Sequence, residues 1–225
     1  MKKIFSLFTA FVITSVISGT AYGDDVAYTD WSGPYGGLII ARNMGSSAIT
    51  DPTNYAFFDS EDGKENLHPE GNYGGIELGF NWQYDAAVFG VEADYAFGSA
   101  KDTTATAYPG SVRWNDISTL RARAGYASTF GLLYLTGGLA MTDMDSKVFY
   151  DPLPCWDTGT ACDSRLRIGA AFGAGIETKI DQQVSLKLEY NYIDFKDLTL
   201  SNNDGFFYTF QNRSDVIKLG VNYHF

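Results

Sequence analysis

The chain has 225 residues, of which 45% are hydrophobic, 16% aromatic and 19% charged, and its formal net charge is −11. This composition is too apolar and too aromatic for a disordered protein. With 16 Lys and Arg against 27 Asp and Glu, the chain is a poor partner for the phosphates of nucleic acids, and we expect no nucleic-acid binding. Two Cys and two His argue against a cysteine-rich scaffold and against a histidine-based metal centre.

The first 23 residues have the pattern of a secretory signal peptide. Lys2 and Lys3 precede an apolar run over residues 4–17, which is too short to span a bilayer, and small residues follow up to Gly23. No later apolar run is long enough for a transmembrane helix. We therefore predict a cleaved leader over 1–23, a short N-terminal segment over 24–32 and one membrane domain over 33–225.

The remainder of the chain alternates between apolar and polar residues. Between residues 75 and 84, for example, every second residue is apolar, and the residues between them are glycine or polar. This period of two is typical of β-strands with one apolar face. Eight segments show the pattern, with a less regular phase in the first and the fifth: 35–42, 75–84, 89–98, 120–126, 132–142, 167–179, 186–192 and 216–225.

The connections between these strands alternate in length. Three are short, at 85–86, 128–131 and 181–183, and four are long and polar, at about 43–72, 99–112, 143–164 and 196–213. Strands of about ten residues, tilted by about 40°, cover roughly 25 Å, which is the height of the apolar band of a membrane barrel. The sequence therefore predicts an all-β, eight-stranded, antiparallel up-and-down transmembrane barrel with short periplasmic turns and four long extracellular loops.

The orientation of the two strand faces needs a separate argument, because a soluble barrel would turn its apolar face inward around a ligand. Here the polar face combines charges of both signs with many glycines, which suits a narrow interior. Because strand edges cannot stay unpaired in hydrocarbon, the last strand must pair with the first. Aromatic residues also collect at strand ends on the apolar face, which predicts an interfacial girdle of Trp82, Tyr84, Tyr126, Tyr190 and Tyr192.

The polar face carries the charged residues that we predict to lie inside the barrel. Unpaired charges in a dry interior are costly, so these residues should pair across strands. Such a network either seals the barrel or lines a narrow, gated ion path, and the sequence leaves both readings open. The predicted interior residues are Arg42, Glu77, Glu92, Asp94, Arg121, Arg123, Arg167, Glu177, Lys179, Lys187, Glu189 and Lys218.

One short segment in almost every strand gives the chain a family resemblance. The segments include 31–33, 79–83, 90–94, 120–126, 136–140, 173–177, 187–190 and 222–225. On these residues the chain resembles the OmpA-like small outer-membrane barrels, in particular the alphaproteobacterial surface antigens called outer-membrane immunogenic or porin-family proteins. The resemblance implies a Gram-negative outer membrane as the location, with outer-membrane lipid and lipopolysaccharide as neighbours and insertion by the barrel-assembly machinery.

The same resemblance assigns a role to the C-terminal residues. The family uses its terminal aromatic residue as a recognition signal for assembly, which places that role on Tyr223 and Phe225. The chain departs from the family at Pro34, where an aromatic residue is common, and at His224, where a basic residue is common. The long connections show no resemblance. We expect no soluble domain after the barrel.

The long connections carry the remaining candidate sites. Cys155 and Cys162 are predicted to form a disulfide, because an exported chain meets an oxidising compartment. The first connection is acidic and is either simply solvated or a site for a divalent cation. His68 within it is a candidate haem contact. The fourth contains an aromatic cluster that is either an adhesive patch or part of the barrel, in the upper girdle or folded back on the barrel mouth. The acidic residues of the first connection are Asp51, Asp59, Glu61, Asp62, Glu65 and Glu70, and the aromatic residues of the fourth are Phe206, Phe207, Tyr208 and Phe210.

The functional expectation follows from these features. A nucleophile, a base and an orienting acid must lie together in an enzyme, and the two histidines are predicted at opposite ends of the barrel, so we expect no enzyme, no cofactor and no metal centre. The leading hypothesis is an envelope-structural barrel that displays its loops to host or environmental ligands. A small passive channel is the alternative, and capture of haem or divalent cations by the loops is a further one.

Overall fold

The computed structural model describes residues 29–50, 64–103, 110–148, 161–201 and 207–225, and the predicted leader lies outside them. The regular elements of these residues are ten antiparallel β-strands. They are β1 (Gly33–Thr50), β2 (Lys64–Leu67), β3 (Glu70–Tyr84), β4 (Ala87–Gly98), β5 (Ala100–Thr103), β6 (Gly110–Ser128), β7 (Gly131–Val148), β8 (Ala161–Lys179), β9 (Val184–Ser201) and β10 (Phe207–His224). Within this part of the chain there is no helix long and apolar enough to cross a membrane.

Eight long strands form a closed ring. Each pairs with its sequence neighbour, and β1 pairs with both β10 and β3, so that the sheet closes on itself. The predicted pairing of the last strand with the first is therefore present, from Tyr35 opposite His224 to Thr50 opposite Thr209. The short strands β2 and β5 continue the lines of β3 and β4 after brief interruptions. The predicted eight-stranded up-and-down barrel is confirmed.

Local sequence explains the tight turns at one end of the barrel. Asp85 and Ala86 form a two-residue hairpin in which Asp85 has a φ of 52°, a left-handed conformation that Asp tolerates better than most residues. The turn between β6 and β7 ends at Gly131, with a φ of 141°. A Cβ atom there would lie 2.4 Å from the carbonyl oxygen of Glu177, so this position requires glycine.

The strands in the half of the barrel next to these turns have the predicted orientation. Leu38, Leu78 and Leu135 are between 63% and 69% exposed on the outer surface, whereas Glu77 and Arg121 are each 1% exposed in the interior. The outer surface of this half is a continuous apolar band, and the interior is polar. Such an arrangement suits a barrel with hydrocarbon outside and a narrow, ionic centre.

The predicted boundaries of the long connections are wrong, because the strands continue well past the apolar band. β1 extends to Thr50, β7 to Val148 and β9 to Ser201, and β10 already begins at Phe207. Much of what the sequence suggested as loop is therefore a strand. The chain forms a wall that is much taller than a bilayer alone requires.

Polarity inverts within single strands at the level where the apolar band ends. In the lower part of β9, Lys187 and Glu189 point inward, while Leu188 points outward. In the upper part, Ile193 and Phe195 are each 1% exposed in the interior. The outward positions there are polar, so this part of the wall has an apolar inside and a polar outside, as in a water-soluble protein.

The upper wall divides into two groups of strands. The pairing of β8 with β9 stops at Gly169 and Phe195, and β2 and β5 each pair with a different neighbour. One group is β2, β1, β10 and β9, and the other is β5, β6, β7 and β8. Apolar side chains from both groups form one cluster between them, which we call the upper core. Its largest members are Ile49, Leu67, Tyr73, Trp114, Met144, Phe195, Leu198, Leu200, Tyr208 and Phe210.

Candidate functional site: the barrel interior

The lower half of the interior is filled by charged side chains from six strands. Of the twelve predicted interior charges, nine are at most 5% exposed, and ion pairs link them into one network, which Arg123 and Glu177 join through the 3.8 Å contact of Arg123 with Glu92. We call these nine residues the interior network. They are Glu77, Glu92, Asp94, Arg121, Arg123, Glu177, Lys187, Glu189 and Lys218.

Arg121 lies at the centre of the interior network. It stands opposite Glu92 in the pairing of β4 with β6, and its guanidinium donates to Glu92 and, at 3.0 Å, to Asp94. The other side of the same group donates to Glu189 at 2.6 Å and to Asn191 at 2.6 Å. One guanidinium therefore holds three carboxylates from β4 and β9, which ties opposite walls of the barrel together.

A second cation, Arg123, is held between two aromatic rings. Its guanidinium carbon lies 3.9 Å from the centre of the Tyr134 ring and 5.6 Å from that of Tyr35, and the group is paired with Glu177. The two hydroxyls point onward into the network, because Tyr35 donates to Glu92 at 2.7 Å and Tyr134 donates to Glu189 at 3.0 Å. The rings thus provide both cation–π contact and hydrogen bonds.

Two lysines complete the charge pairing. Lys187 is paired with Glu77 and lies 3.1 Å from Glu92, and Lys218 lies 2.6 Å from Asp94. The interior network then contains five carboxylates and four cationic side chains, each with at least one partner of opposite charge. Burial of unpaired charges would be very costly, so this pairing is what makes a polar interior possible.

Three of the predicted interior charges lie elsewhere. Arg42 points outward and pairs with Glu70, because it lies above the inversion of polarity, where outward positions become polar. Arg167 lies near the upper end of β8 and pairs with Asp163, with 17% of its side chain exposed. Lys179 lies at the opposite mouth of the barrel and donates to the carbonyl of Asp30 at 2.7 Å. The prediction of an interior position is wrong for Arg42, and the other two lie at the ends of the interior.

A small apolar layer closes the end of the interior near the short turns. Trp31 is fully buried there and packs with Val88, Ala127, Leu132 and Tyr134. The backbone N–H of Trp31 donates to the side-chain carbonyl of Gln83 at 2.7 Å, and Asn81 donates to the Trp31 carbonyl at 3.2 Å. Trp31 was not among the predicted interior residues. The sequence does show an aromatic residue just before the first strand. Because it lies outside the alternating pattern, that pattern does not indicate whether it points inward or outward.

Glycines create the space that the interior rings occupy, and this gives a first prediction. A Cβ atom on Gly175 would lie 2.3 Å from the Tyr134 hydroxyl, so Gly175→Ala must displace the ring that covers Arg123. We expect a loss of about 1–3 kcal/mol in the free energy of unfolding, measured by urea titration of the refolded protein. The matched control is Gly74→Ala, because no atom lies within 4 Å of the added Cβ there. Equal stability of the two variants would contradict the assigned role of the ring.

The residues predicted for the girdle and for the assembly signal lie on the outer surface. Trp82, Tyr84 and Tyr126 lie at the short-turn end and are 47%, 69% and 56% exposed. Tyr190 and Tyr192 lie higher, where Tyr190 donates a hydrogen bond to Asp215 and Tyr192 is half-buried. At the C-terminus, Tyr223 and Phe225 point outward, with their ring centres 5.2 Å apart. A role in assembly stays a prediction.

The candidate sites in the long connections are only partly within the described residues. Cys162 lies in β8 opposite Lys147 and is disulfide-bonded, whereas its predicted partner Cys155 lies outside them. Asp51, Asp59, Glu61, Asp62 and Phe206 lie outside them as well. Across the described ranges there is no group of three or more His, Cys, Asp or Glu side chains placed to hold a metal ion.

The described part of the fourth aromatic cluster belongs mainly to the wall. Tyr208 and Phe210 are buried in the upper core, at 3% and 0% exposure, and Phe207 is exposed on the outside. His68 is also exposed, and its backbone N–H donates to Asp102 at 2.7 Å. Of the two readings that the sequence left open for the aromatic cluster, the structure favours packing within the barrel.

The comparisons with known proteins agree with this architecture. The family model for the outer membrane protein beta-barrel domain matches residues 9–225. A 22 kDa outer membrane protein of Rhizobium leguminosarum bv. viciae is 32% identical over 158 residues, covering 70% of this chain and 68% of the relative. A 31 kDa outer-membrane immunogenic protein of Brucella melitensis is 30% identical over 213 residues, covering 87% and 84%.

More distant similarities are of the same kind. A 25 kDa outer-membrane immunogenic protein of Brucella canis is 26% identical over 197 residues, covering 87% of this chain and 79% of that one. Among solved structures, the attachment invasion locus protein Ail of Yersinia pestis has a TM-score of 0.42 at 14% identity, over 86% of this chain and 99% of that one, a likeness too distant to bear on function. The closed barrel, its apolar band and the family match together place the chain in the outer membrane, as a member of the outer membrane protein beta-barrel domain family.

Proposed function

We propose that the protein is a sealed structural barrel of the outer membrane that displays its upper, water-exposed part at the cell surface. The observation that carries this proposal is the filled interior. From the short turns upward, the side chains inside the barrel form an apolar layer around Trp31, then the interior network, then the upper core. The proposal assigns the protein no catalytic activity.

The composition of the three layers supports a sealed barrel rather than a pore. An aqueous channel needs charged groups that are hydrated and free to exchange partners with passing ions. Here the side chains of Arg121, Arg123, Lys187, Glu92 and Glu189 have no exposed area, and each is engaged by at least one opposite charge. The apolar layers above and below add a barrier to ions, because hydration is lost there without compensation.

Several features support surface display. Most outward positions of the upper wall are polar, as expected for a part of the barrel that stands in water above the lipopolysaccharide layer, with Leu166, Ile168 and Phe207 as exposed apolar exceptions. The Brucella relatives are named outer-membrane immunogenic proteins, a name that fits display at the cell surface. By this proposal, the partners of the chain are outer-membrane lipid and lipopolysaccharide around the band, the barrel-assembly machinery during insertion, and host or environmental ligands above it.

A conductance measurement tests the sealed interior. In a planar bilayer, the refolded protein is expected to show no steady unitary conductance, because ions would have to cross two apolar layers and a fully paired network. A small outer-membrane porin inserted in the same bilayer serves as the positive control. A steady conductance that changes in Glu92→Gln would contradict the sealed barrel and favour the alternative of a small passive channel.

A labelling experiment tests which end of the barrel faces outward. Thr199→Cys places a thiol on the exposed upper part of β9, and Thr129→Cys places one on the exposed turn between β6 and β7. On intact cells, a membrane-impermeant maleimide is expected to label the first variant fully and the second only after the outer membrane is broken. Labelling of both variants, or of the second alone, on intact cells would contradict the proposed display.

A further inference from the structure

The upper wall has a seam between β8 and β9. Pairing between these strands ends at Gly169 and Phe195, and above that level, within the described residues, 164–168 of β8 pair only with β7, and 198–201 of β9 pair only with β10. A shift in register between Phe210 and Asn212 marks the bulge at which β9 turns away from β8. Both strands therefore present a backbone edge to the seam, and exposed edges are templates for another strand.

The second seam of the upper wall is bridged and serves as an internal comparison. It lies between β2 and β5, which also pair with different neighbours. There Glu70 pairs with Lys101 by backbone register, and the Asp102 carboxylate accepts the backbone N–H of His68. At the seam between β8 and β9, no comparable bridge joins the described residues on its two sides.

The β8 edge carries a specific pattern of side chains. Leu166 and Ile168 are 57% and 48% exposed on one face, although the hydrogen bonding of this segment is incomplete. An incompletely paired strand is not viable in hydrocarbon, so these apolar side chains are not explained by contact with lipid. On the other face, Arg165 has 77% of its side chain exposed and shares the single carboxylate of Asp163 with Arg167. The edge therefore combines exposed apolar groups with an excess positive charge.

This charge pattern decides between two possible occupants. In an antiparallel pairing of two copies centred on Leu166, Arg165 of one copy would face Arg167 of the other, and like charges directly opposite each other are unfavourable. A strand with acidic side chains on the Arg165 face and apolar ones on the Leu166 face avoids this repulsion and complements both faces of the β8 edge. On the β9 side of the seam, the exposed Lys196 is flanked by the exposed Asp194 and Asp197, so the excess positive charge belongs to the β8 edge.

We propose that the seam between β8 and β9 binds an extended peptide segment of alternating acidic and apolar residues, which adds a strand to the β8 edge at Ser164–Ile168. Backbone hydrogen bonds provide the affinity, and Arg165, Arg167, Leu166 and Ile168 select the sequence, as in other cases of β-strand addition. The inference adds a class of partner to the proposed display function. It rests on that function in one respect, that the seam faces the outside of the cell.

Peptide binding to the full-length protein, refolded in nanodiscs with its disulfide intact, tests the inference. The probe is a fluorescently labelled, acetylated peptide of four Glu-Val repeats, followed by fluorescence anisotropy. Two forms serve as comparisons: a Lys-Val peptide and a Glu-Val peptide that is N-methylated at alternate residues. We expect saturable binding of the Glu-Val peptide, a loss of at least about tenfold on N-methylation, because methylated amides cannot donate, and no binding of the Lys-Val peptide.

Two sets of variants separate edge binding from non-specific attraction. Reversal of both charges in Arg165→Glu/Arg167→Glu should weaken the Glu-Val peptide by about tenfold and create binding of the Lys-Val peptide. The matched control is Lys101→Glu/Arg113→Glu, which reverses two exposed charges on β5 and β6, away from the seam, and should leave affinity unchanged. If the charge-reversed variant does not fold, Arg165→Gln/Arg167→Gln provides a second test. We expect this variant to bind the Glu-Val peptide with an affinity between those of the unchanged protein and the charge-reversed variant.

The outcomes are distinct from those of the conductance experiment. Equal binding of the N-methylated peptide, or an equal effect of the control reversal, would overturn the strand-addition site. Backbone NMR shifts induced by the peptide should fall on residues 164–168 and 196–201, and shifts confined to other strands would also overturn it. A conducting barrel would refute the sealed interior and leave these results unaffected.

Discussion

Replacement of Arg121 by glutamine is expected to be among the most destabilising single changes in the barrel. The substitution removes the cation that holds Glu92, Asp94 and Glu189 and leaves these buried carboxylates short of one positive charge. Breaking a buried ion pair by removal of one partner typically costs about 3–5 kcal/mol, because the remaining charge stays desolvated. Arg121→Gln should therefore lower the free energy of unfolding by about this amount. Urea titration in detergent, with the heat-modifiable gel shift as the readout of the folded fraction, measures the change.

The matched control is an arginine whose ion pair lies outside the barrel. Arg42 pairs with Glu70, and 46% and 53% of their side chains are exposed. Exposed pairs contribute little, so Arg42→Gln should change stability by no more than about 1 kcal/mol. Equal effects of the two substitutions would show that the interior network is hydrated and exchangeable, and the sealed barrel would then lose its main support.

The strands within the apolar band were predictable because two constraints act on every residue there. Hydrocarbon outside requires an apolar side chain, and the narrow centre requires a small or paired polar one, so the alternation is regular. Residues 75–84, for example, follow this rule without exception, and β3 ends at Tyr84 as predicted. Nine of the twelve predicted interior charges lie in the network for the same reason.

The upper strands were not predictable from the same rule, because their apolar residues face the interior and most of their polar residues face outward, the opposite of the arrangement in the apolar band. In β9 the odd-numbered residues point inward up to Phe195, but past Tyr192 the inward ones, Ile193 and Phe195, are apolar and the outward Asp194 is charged. A pattern that is read with one fixed orientation breaks at this point and suggests a loop. The misplacement of Arg42 has the same origin, since a charged residue at that level belongs outside.

The aromatic residues of the interior show a second limit of the sequence. Tyr35 and Tyr134 lie on the inward faces of strands whose outward faces are also apolar, so the polarity of the residues does not reveal their position. Their place depends on glycines of neighbouring strands: Cβ atoms on Gly79 and Gly175 would lie 2.2 Å and 2.4 Å from the nearest ring carbons of Tyr35 and Tyr134. Only the register of the closed barrel brings ring and glycine together.

Replacement of Trp114 by alanine should open the upper part of the barrel selectively. The ring is fully buried in the upper core, with its centre 5.7 Å from that of Phe195, and Tyr73 donates to the Trp114 carbonyl at 3.1 Å. Loss of a buried Trp side chain typically costs about 3–5 kcal/mol. Because the upper strands lack the constraint of the surrounding membrane and divide at the seam, we expect this cost to appear as local opening rather than as global unfolding.

Limited proteolysis of the protein in nanodiscs, with cleavage sites identified by mass spectrometry, measures that opening. New cleavage sites in Trp114→Ala should lie in the upper strands, while the band segments remain protected. Trp82→Ala removes a ring of the same size from the outer surface, where it is 47% exposed, and should add no upper cleavage sites. Cleavage throughout the barrel in Trp114→Ala would show that the two halves unfold together.

A double variant decides whether the interior network and the upper core stabilise the barrel independently. Arg121 and Trp114 lie on the same strand, β6, about 20 Å apart at 3.3 Å per residue, and no residue contacts both side chains in the interactions described above. Changes at distant sites without shared partners usually add to within about 0.5 kcal/mol. Because Trp114→Ala alone is expected to open only the upper strands, additivity predicts that the urea midpoint of Arg121→Gln/Trp114→Ala falls no further than that of Arg121→Gln, while its upper cleavage sites resemble those of Trp114→Ala. A larger drop in the midpoint would mean that the upper core also supports the ionic centre, and the barrel would have to be treated as one cooperative unit.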